Sequence, residues 1–420
     1  MQLRKTLAIA LALGVATAMT MMPAGGATKA KGKAKPKPAT TKAATTTKAT
    51  TATPATPTPT PATTAAAATG ASNDPFTVMV IGDFTSTIAF TVKEAVAAVK
   101  ASLKDVANAK VVGCDSKGDP NAWQGCARDA VSQKVAAVVQ AFSLGSPDAA
   151  ILTKAAIPYL GQTEMTGATS FSLANGVAAY TGMGFGFIKA GCVSLGVLYL
   201  DGSDQLVDAI NNGAKAAGGS VVSKAAIAAN APDVSPAIAK LTGAGVDCIA
   251  LSVTPPQVPQ AIIAISQTGV RVKVGGVDAI FPAPIIKALG KLAEGALVFA
   301  AQSNADDVSP IMSKIKADMA PFDGSALLTQ QAVISWAAGR LVANAVPTVK
   351  GPVTAASLLA GLNGLQNLDL DGVMTVSLSG QKSAAYKRLV NAKSLMYVIK
   401  DGLPRRSGEF FDYSVALPGN

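Results

Sequence analysis

The stretch from residue 191 to residue 302 alternates apolar runs with helical patterns, and this alternation constrains the fold more than any other feature. The runs VSLGVLYL, VDCIALSV and VKVGGV are rich in Val, Ile and Leu and lead into polar residues, which predicts strands buried on both faces. Between them, QLVDAINNGAKAAGG and VPQAIIAISQTG carry apolar residues at helical spacing and end in Gly. A last apolar run, ALVFAAQ, predicts a strand with which the alternating pattern ends. The pattern predicts an α/β fold with an open sheet of parallel strands.

Polar residues follow these strands directly. Ligands of open α/β sheets bind at the carboxyl ends of the strands, so the residues at those ends are candidate ligand contacts. In this region they are Asp201, Asp204, Thr254 and Asp278. Asp201 and Asp204 also suit capping of the helix that follows them, and both roles remain open.

The preceding segment has the same organisation. FTVMVIGDFTS, AKVVGCD, AAVVQAFSLGS and AIPYLGQT predict four strands, and KEAVAAVKASLKDV and CARDAVSQ predict helices between them. Phe84 and Thr85, which follow the first strand, are further candidate ligand contacts. Residues 75–420 exceed what one hydrophobic core usually serves, so we expect two α/β lobes with a ligand cleft between them.

The first 73 residues are expected to direct and tether the chain. Residues 1–27 combine two basic residues, an apolar run and small residues, which is typical of an export signal, with an uncleaved membrane anchor as the alternative. Residues 28–73 are almost entirely Ala, Thr, Lys, Pro and Gly, which predicts a disordered tether. No Cys precedes Cys114, so we expect no lipid anchor on an N-terminal Cys.

Most of the net positive charge lies in this same region. The chain has a formal net charge of +11, and nine basic residues but no acidic residue precede Asp74. The basic balance therefore suits an anionic cell wall or membrane surface, and we expect no nucleic-acid partner.

The cysteines and the absence of histidine limit the chemistry that the chain can perform. The positions of the four cysteines make two disulfides plausible, Cys114 with Cys126 and Cys192 with Cys248, although four free thiols remain the alternative. A zinc site is disfavoured because the spacings are unsuitable and the chain has no His. Catalysis that depends on His is likewise excluded, whereas paired carboxylates remain possible catalysts. On the predicted fold the strand-end acids would line opposite sides of a cleft as hydrogen-bond acceptors, so we expect neither an enzyme nor a bound metal or cofactor.

Several segments, in their order and spacing, resemble one known family. They are CDSKGDPNAWQGCARDAV, AAIPYLGQT, GVLYLDGSD, KAAGGSVVSKAAIAANAPDVSPAIAKLTGAGVDCIAL, AISQTGVRVKVGG and LAEGALVFAAQ. Together they make residues 75–420 similar to the type I periplasmic solute-binding proteins of ABC importers, and within them to the Leu/Ile/Val-binding receptors of branched-chain amino acids or amides.

The resemblance implies two Rossmann-like lobes joined by a hinge of three crossovers, which we place near residues 184, 304 and 378. The N-terminal lobe is then expected to comprise 75–184 and 305–378, and the C-terminal lobe 185–304 and 379–420. The run GMGFGF at residues 182–187 lacks the phosphate-binding turn that follows a strand. We interpret it as close packing near the first crossover.

The resemblance also implies a set of ligand contacts. In amino-acid-binding members, loops after the third and fourth strands hold the ligand carboxylate, and the matching positions here are Ser143, Ser146, Gln162 and Thr163. An acid of the second lobe pairs with the ligand ammonium there, and Asp278 lies near that position. Such members also carry a Tyr where this chain has GSDQ after Asp201, which argues against an ordinary branched-chain amino acid. Ser143 as a helix cap and Thr163 as the end of a strand remain the structural alternatives.

The expected function is that of an exported receptor, periplasmic or associated with the cell wall. It would act as a monomer, close on a small polar solute such as an amino acid, an amide or a related organic acid, and deliver that solute to an ABC permease. The alternative is a wall-associated sensor or scaffold of the same fold, which the long tether favours.

Overall fold

The computed structural model describes residues 74–85, 91–143, 149–378 and 383–419, which fall within one compact unit. The predicted export signal and tether lie outside the described residues. In the part of the chain that is described, no helix is both long enough and apolar enough to cross a membrane.

The first lobe is built on a sheet of five parallel strands. They are β1 (Phe76–Gly82), β2 (Ala109–Asp115), β3 (Ala137–Gln140), β4 (Tyr159–Gly161) and β5 (Ser170–Ser172). Their order in the sheet is β2-β1-β3-β4-β5. The strand order therefore reverses between β1 and β3, and in doubly wound sheets ligands bind at such a switch point.

Helices cover both faces of this sheet. They are α1 (Ala95–Ser102), α2 (Pro120–Ser132), α3 (Ala150–Lys154), α9 (Pro310–Met319), α10 (Gln330–Ala345) and α11 (Ala355–Gly364). Side chains of β1 alternate between the faces, because Val78 and Val80 pack with α1 and α10 whereas Met79 and Ile81 pack with α2. A short antiparallel ladder, β11 (Leu368–Asp369) with β12 (Thr375–Val376), lies at the end of this lobe's second segment.

The second lobe is built on a mixed sheet of eight strands. They are β6 (Ser194–Leu200), β7 (Ser220–Ile227), β8 (Cys248–Ser252), β9 (Lys273–Val277), β10 (Leu297–Ala300), β13 (Lys393–Lys400), β14 (Leu403–Arg406) and β15 (Phe411–Asp412). The order is β14-β13-β10-β9-β8-β6-β7, and β15 pairs with β13. Its helices are α4 (Gly176–Lys189), α5 (Asp204–Ala216), α6 (Ser235–Gly243), α7 (Gln257–Gln267) and α8 (Ala283–Leu289). The predicted α/β fold with two lobes is confirmed.

The chain passes from one hydrophobic core to the other and back. The core of the first lobe takes side chains from Phe76 to Leu173 and again from Met312 to Val390, and that of the second takes side chains from Met183 to Ala300 and again from Leu395 to Ile399. Residue 184, near which we placed the first crossover, lies within α4, and α4 packs on α5, β10 and β13.

Strand β7 was missed by the sequence analysis, which passed from α5 directly to β8. Its residues alternate between exposed and more buried positions because it lies at the end of the sheet order, with β6 as its neighbour. A search for continuous apolar runs finds strands that are buried on both faces and overlooks such an edge strand.

Both predicted disulfides are confirmed. Cys114 at the end of β2 is bonded to Cys126 in α2, with Cα atoms 5.7 Å apart. Cys192, before β6, is bonded to Cys248 at the start of β8, with Cα atoms 6.0 Å apart.

The run GMGFGF is buried within α4, and its glycines lie against different neighbouring elements. A Cβ atom on Gly184 would overlap the carbonyl oxygen of Ile210 in α5, and one on Gly213 of α5 would overlap the carbonyl oxygen of Thr181. The interpretation of these glycines as packing residues is therefore confirmed.

Candidate functional site

A cavity of about 400 Å³ opens between residues of the two lobes. In the first lobe it is lined by Gln140, Phe142, Ser143, Gln162, Thr163, Ala174, Asn175, Gln330, Gln331 and Ile334. In the second it is lined by Gly176, Ala179, Tyr180, Val277–Ile280, Phe299–Gln302, Lys393, Ser394 and Tyr413. These residues cluster where β3, β4, β9 and β10 end, as expected for a ligand of parallel sheets. We call this space the inner chamber.

Asp278, directly after β9, supplies the acidic group of the inner chamber. Its carboxylate oxygen Oδ2 accepts a hydrogen bond from Nε2 of Gln302 at 2.7 Å. Burial away from water raises the pKa of Asp278 to about 7, and hydrogen bonds from the backbone of Ala279 and from Gln302 only partly offset this effect. The carboxyl is therefore poised between its neutral and charged forms near neutral pH, and a cation beside it would favour the charged form.

Side-chain amides connect the two lobes at the inner chamber. The Nε2 group of Gln302 also donates to Oε1 of Gln330 at 3.2 Å, and Nε2 of Gln162 donates to Oε1 of Gln331 at 2.7 Å. The two glutamines of α10 are held at this point because Thr329 caps the helix, accepting a hydrogen bond at Oγ1 from the backbone N–H of Ala332.

The wall formed by the first lobe presents hydroxyl groups on a rigid frame. Ser143 Oγ donates to Oδ1 of the buried Asp83, which also accepts hydrogen bonds from Ser116 Oγ and the N–H of Gly118. Thr163 is buried, and its Oγ1 accepts a hydrogen bond from Ser170. These contacts hold the two hydroxyls at the chamber wall.

Four of the predicted contact residues line the inner chamber and five do not. Those at the chamber are Ser143, Gln162, Thr163 and Asp278. Backbone N–H groups of Phe84 and Thr85 donate to Oδ1 of Asp115, and Thr254 Oγ1 donates to Gln257 in the first turn of α7. Asp201 is exposed, and Asp204 forms an ion pair with Lys224 at 2.8 Å. Ser146 lies outside the described residues, and ligand contact at all of these positions stays a prediction.

Other residues of the chamber were missed by the sequence analysis. Tyr180 in α4 and Tyr413 after β15 bring phenol groups to the site, and burial raises the pKa of both. Lys393, at the start of β13, is half-buried and lies at the same chamber. The sequence analysis missed these residues because the path by which their segments return to the cleft depends on the topology of the chain. Gln330 was missed as well, although Thr329 just before it is a helix N-cap that the sequence could have indicated.

Comparison with known proteins agrees with this architecture. A family profile described as periplasmic binding protein matches residues 75–402. No curated protein matches the chain.

Solved structures share the fold at low sequence identity. A protein described as a branched-chain amino acid ABC transporter from Rhodospirillum rubrum superposes with a TM-score of 0.66 at 17% identity, over 79% of this chain and 100% of that one. A fatty acid ABC transporter substrate-binding protein from Thermomonospora curvata gives 0.64 at 14% identity, over 83% and 95%. A solute-binding protein of an ABC transporter from Rhodopseudomonas palustris BisB5, in complex with 3,4-dihydroxybenzoic acid, gives 0.62 at 18% identity, over 81% and 98%.

These likenesses show the fold alone, whereas the family match spans more than three quarters of the chain. With the two lobes and the cavity between them, it shows that the chain belongs to the periplasmic binding proteins, the extracytoplasmic solute-binding family of ABC transporters.

Proposed function

We propose that this protein is the receptor of an ABC importer, and that its two lobes close on a small polar solute such as an amino acid, an amide or a related organic acid. The observation that carries the proposal is the inner chamber, which both lobes line and which holds the half-buried acid Asp278. Delivery to the membrane permease follows closure. The receptor works as a monomer and performs no catalysis.

Closure is required because neither lobe can surround a solute alone. The hydroxyls of Ser143 and Thr163 belong to one lobe, and Asp278 and Lys393 belong to the other. Bringing the lobes together removes water from the solute and strengthens each hydrogen bond in the drier site. The affinity for the solute and the closing motion are therefore linked.

Asp278 is best suited to an ammonium group or another strong hydrogen-bond donor. Its charged form is disfavoured by burial, so a cationic group at 3 to 4 Å would restore that form and release a proton near neutral pH. The hydroxyls on the opposite wall suit a carboxylate, an amide oxygen or a hydroxyl of the same solute. The structural relative from Rhodopseudomonas palustris BisB5 is in complex with one such organic acid, 3,4-dihydroxybenzoic acid.

A thermal-shift screen with amino acids, amides, aromatic acids, short-chain acids and sugars identifies the solute, because a ligand that binds only the folded state raises the melting temperature. Small-angle X-ray scattering with that solute should then show a smaller radius of gyration. Asp278→Ala should weaken a cationic or hydroxylated solute by more than tenfold, as expected for loss of a hydrogen bond to a charged group.

The matched control is Asp208→Ala, an exposed acid of α5 outside the chamber, which should leave the affinity within about twofold. Binding without compaction, together with full affinity of Asp278→Ala, would show that the cleft between the lobes is not the receptor site.

A further inference from the structure

A second cavity, of about 600 Å³, adjoins the inner chamber. The two cavities share Asp278, Ala279, Gln330 and Gln331, so the hydrogen-bonded group of Asp278, Gln302 and Gln330 stands where they meet. The walls of the second cavity also come from both lobes. We call this second space the outer chamber.

The outer chamber has an apolar lining that water reaches. Pro282 and Pro284 form one side, and Met312 and Leu328 form part of the other. Val308 and Leu327 at the same cavity are 69% and 71% exposed, the highest values among the large hydrophobic residues that the structure describes. Covering such surface with an apolar group is favourable, and the contiguity of the chambers means that one solute can do so while it occupies the inner chamber.

The charge of the outer chamber selects between solutes. Its acidic side chains are Glu94, Asp278, Asp306 and Asp307, whereas Lys316 is its basic one. Burial raises the pKa of Asp306 and, despite Arg405 and Arg406 nearby, also that of Asp307. A cation within the cleft relieves this unfavourable burial of negative charge, and an anion worsens it.

We infer that the solute of this receptor is an organic cation with an apolar body, whose ammonium group lies against Asp278 and whose apolar part fills the outer chamber. The inference rests on the proposed function, because it requires the cleft to be the solute site. It adds a second subsite and the solute's charge sign.

The test uses n-alkylammonium chlorides from ethyl to octyl, with sodium n-alkanoates of the same lengths, in calorimetric titrations of the exported protein. Affinity for the ammonium series should rise by about fourfold per methylene group until the outer chamber is filled. Alkanoates of equal length should bind at least tenfold more weakly. Ala283→Trp, at an exposed first residue of α8 beside the outer chamber, should abolish the gain from chain length and leave ethylammonium binding within about twofold.

The control is Ala239→Trp, an exposed residue of α6 outside both chambers, which should bind the whole series like the unaltered protein. The inference is overturned if no alkylammonium binds, if the alkanoates bind better, or if Ala283→Trp leaves the chain-length gain intact. Compaction with an amino acid or amide in the absence of any chain-length gain would reject the outer subsite alone. Failure of every solute to compact the protein would instead reject the proposed receptor function.

Discussion

The carboxyl of Asp278 illustrates how one residue can link protonation to stability. It follows β9, accepts a hydrogen bond from Gln302, and has its pKa raised to about 7 by burial. An Asp in the unfolded chain titrates near 3.9. Between these two values the folded protein binds more protons than the unfolded chain, so the free energy of unfolding falls as pH rises from about 4 to 7.

Asp278→Asn should remove this loss of stability, because an amide keeps an acceptor for Gln302 and does not ionise. We expect the variant to be more stable than the unaltered protein at pH 8, by on the order of 1–4 kcal/mol, and to lose this advantage near pH 4. Urea unfolding at several pH values measures the difference.

Asp204→Asn serves as the comparison, since the ion pair with Lys224 lowers the pKa of Asp204 and that residue is exposed. It should be slightly destabilising at pH 8 at most. A pH-independent effect of Asp278→Asn would contradict the raised pKa.

The predicted residues that line the chamber were reached in two ways. Asp278 follows β9 directly, and the rule that ligands bind at the carboxyl ends of parallel strands needs only the strand positions. Ser143, Gln162 and Thr163 were implied by the family resemblance. Gln330, Lys393 and Tyr413 were not predicted, since they reach the chamber through later returns of the chain that no local pattern records. Thr254 and Asp204 follow strands as well, but they lie outside the chamber. Thr254 donates a hydrogen bond to Gln257 in the first turn of α7, and Asp204 at the start of α5 forms an ion pair with Lys224.

At the scale of elements, the contact of α4 with α5 depends on the absence of side chains. Gly184 and Gly213 each face a backbone carbonyl of the other helix, and backbone cannot move aside as a flexible side chain can. The helices therefore approach more closely than any residue with a Cβ atom would permit.

Gly184→Ala should destabilise the protein by about 1–3 kcal/mol, the usual cost of forcing an extra carbon into a packed contact. Gly243→Ala is the matched change, because Gly243 ends α6 with no atom near its would-be Cβ. There the better helix propensity of Ala should stabilise by up to about 1 kcal/mol. Thermal unfolding of both variants measures these opposite changes in stability. Equal shifts in the two melting temperatures would argue against the close helix contact.

The elements predicted from sequence were those with an unambiguous apolar signal. Strand β8 is buried along its whole length, and so its run of apolar residues was recognised. Strand β7 has one solvated face and was not. Helix α4 was not predicted as an element of the second lobe, because its glycine-rich sequence has no amphipathic pattern and its partners are set by packing.

At the scale of the whole molecule, each disulfide lies within one lobe. The bond between Cys114 and Cys126 closes 12 residues, and that between Cys192 and Cys248 closes 56. Neither bond restricts the movement of one lobe relative to the other, which is compatible with the proposed closure.

Removing the disulfide that closes the longer loop should destabilise the protein more. In the chain-entropy description, the stabilisation by a disulfide grows with the logarithm of loop length. The Cys192–Cys248 bond is therefore expected to add about 1 kcal/mol more to the free energy of unfolding than the Cys114–Cys126 bond. Replacing each pair by Ala and comparing urea midpoints tests this ranking. A larger loss from the pair Cys114 and Cys126 would mean that local strain or residual structure outweighs loop closure.

The edge strand β7 also has a consequence for how copies of the protein behave together. A long, regular edge strand is a template on which a second molecule can add its own strand, and this is how ordered aggregates begin. Here the pairing of β7 with β6 shifts register between Leu195 and Gly196, and the strand carries the charged Lys224. Both features hinder strand addition, so this edge of the sheet is protected against the growth of fibres.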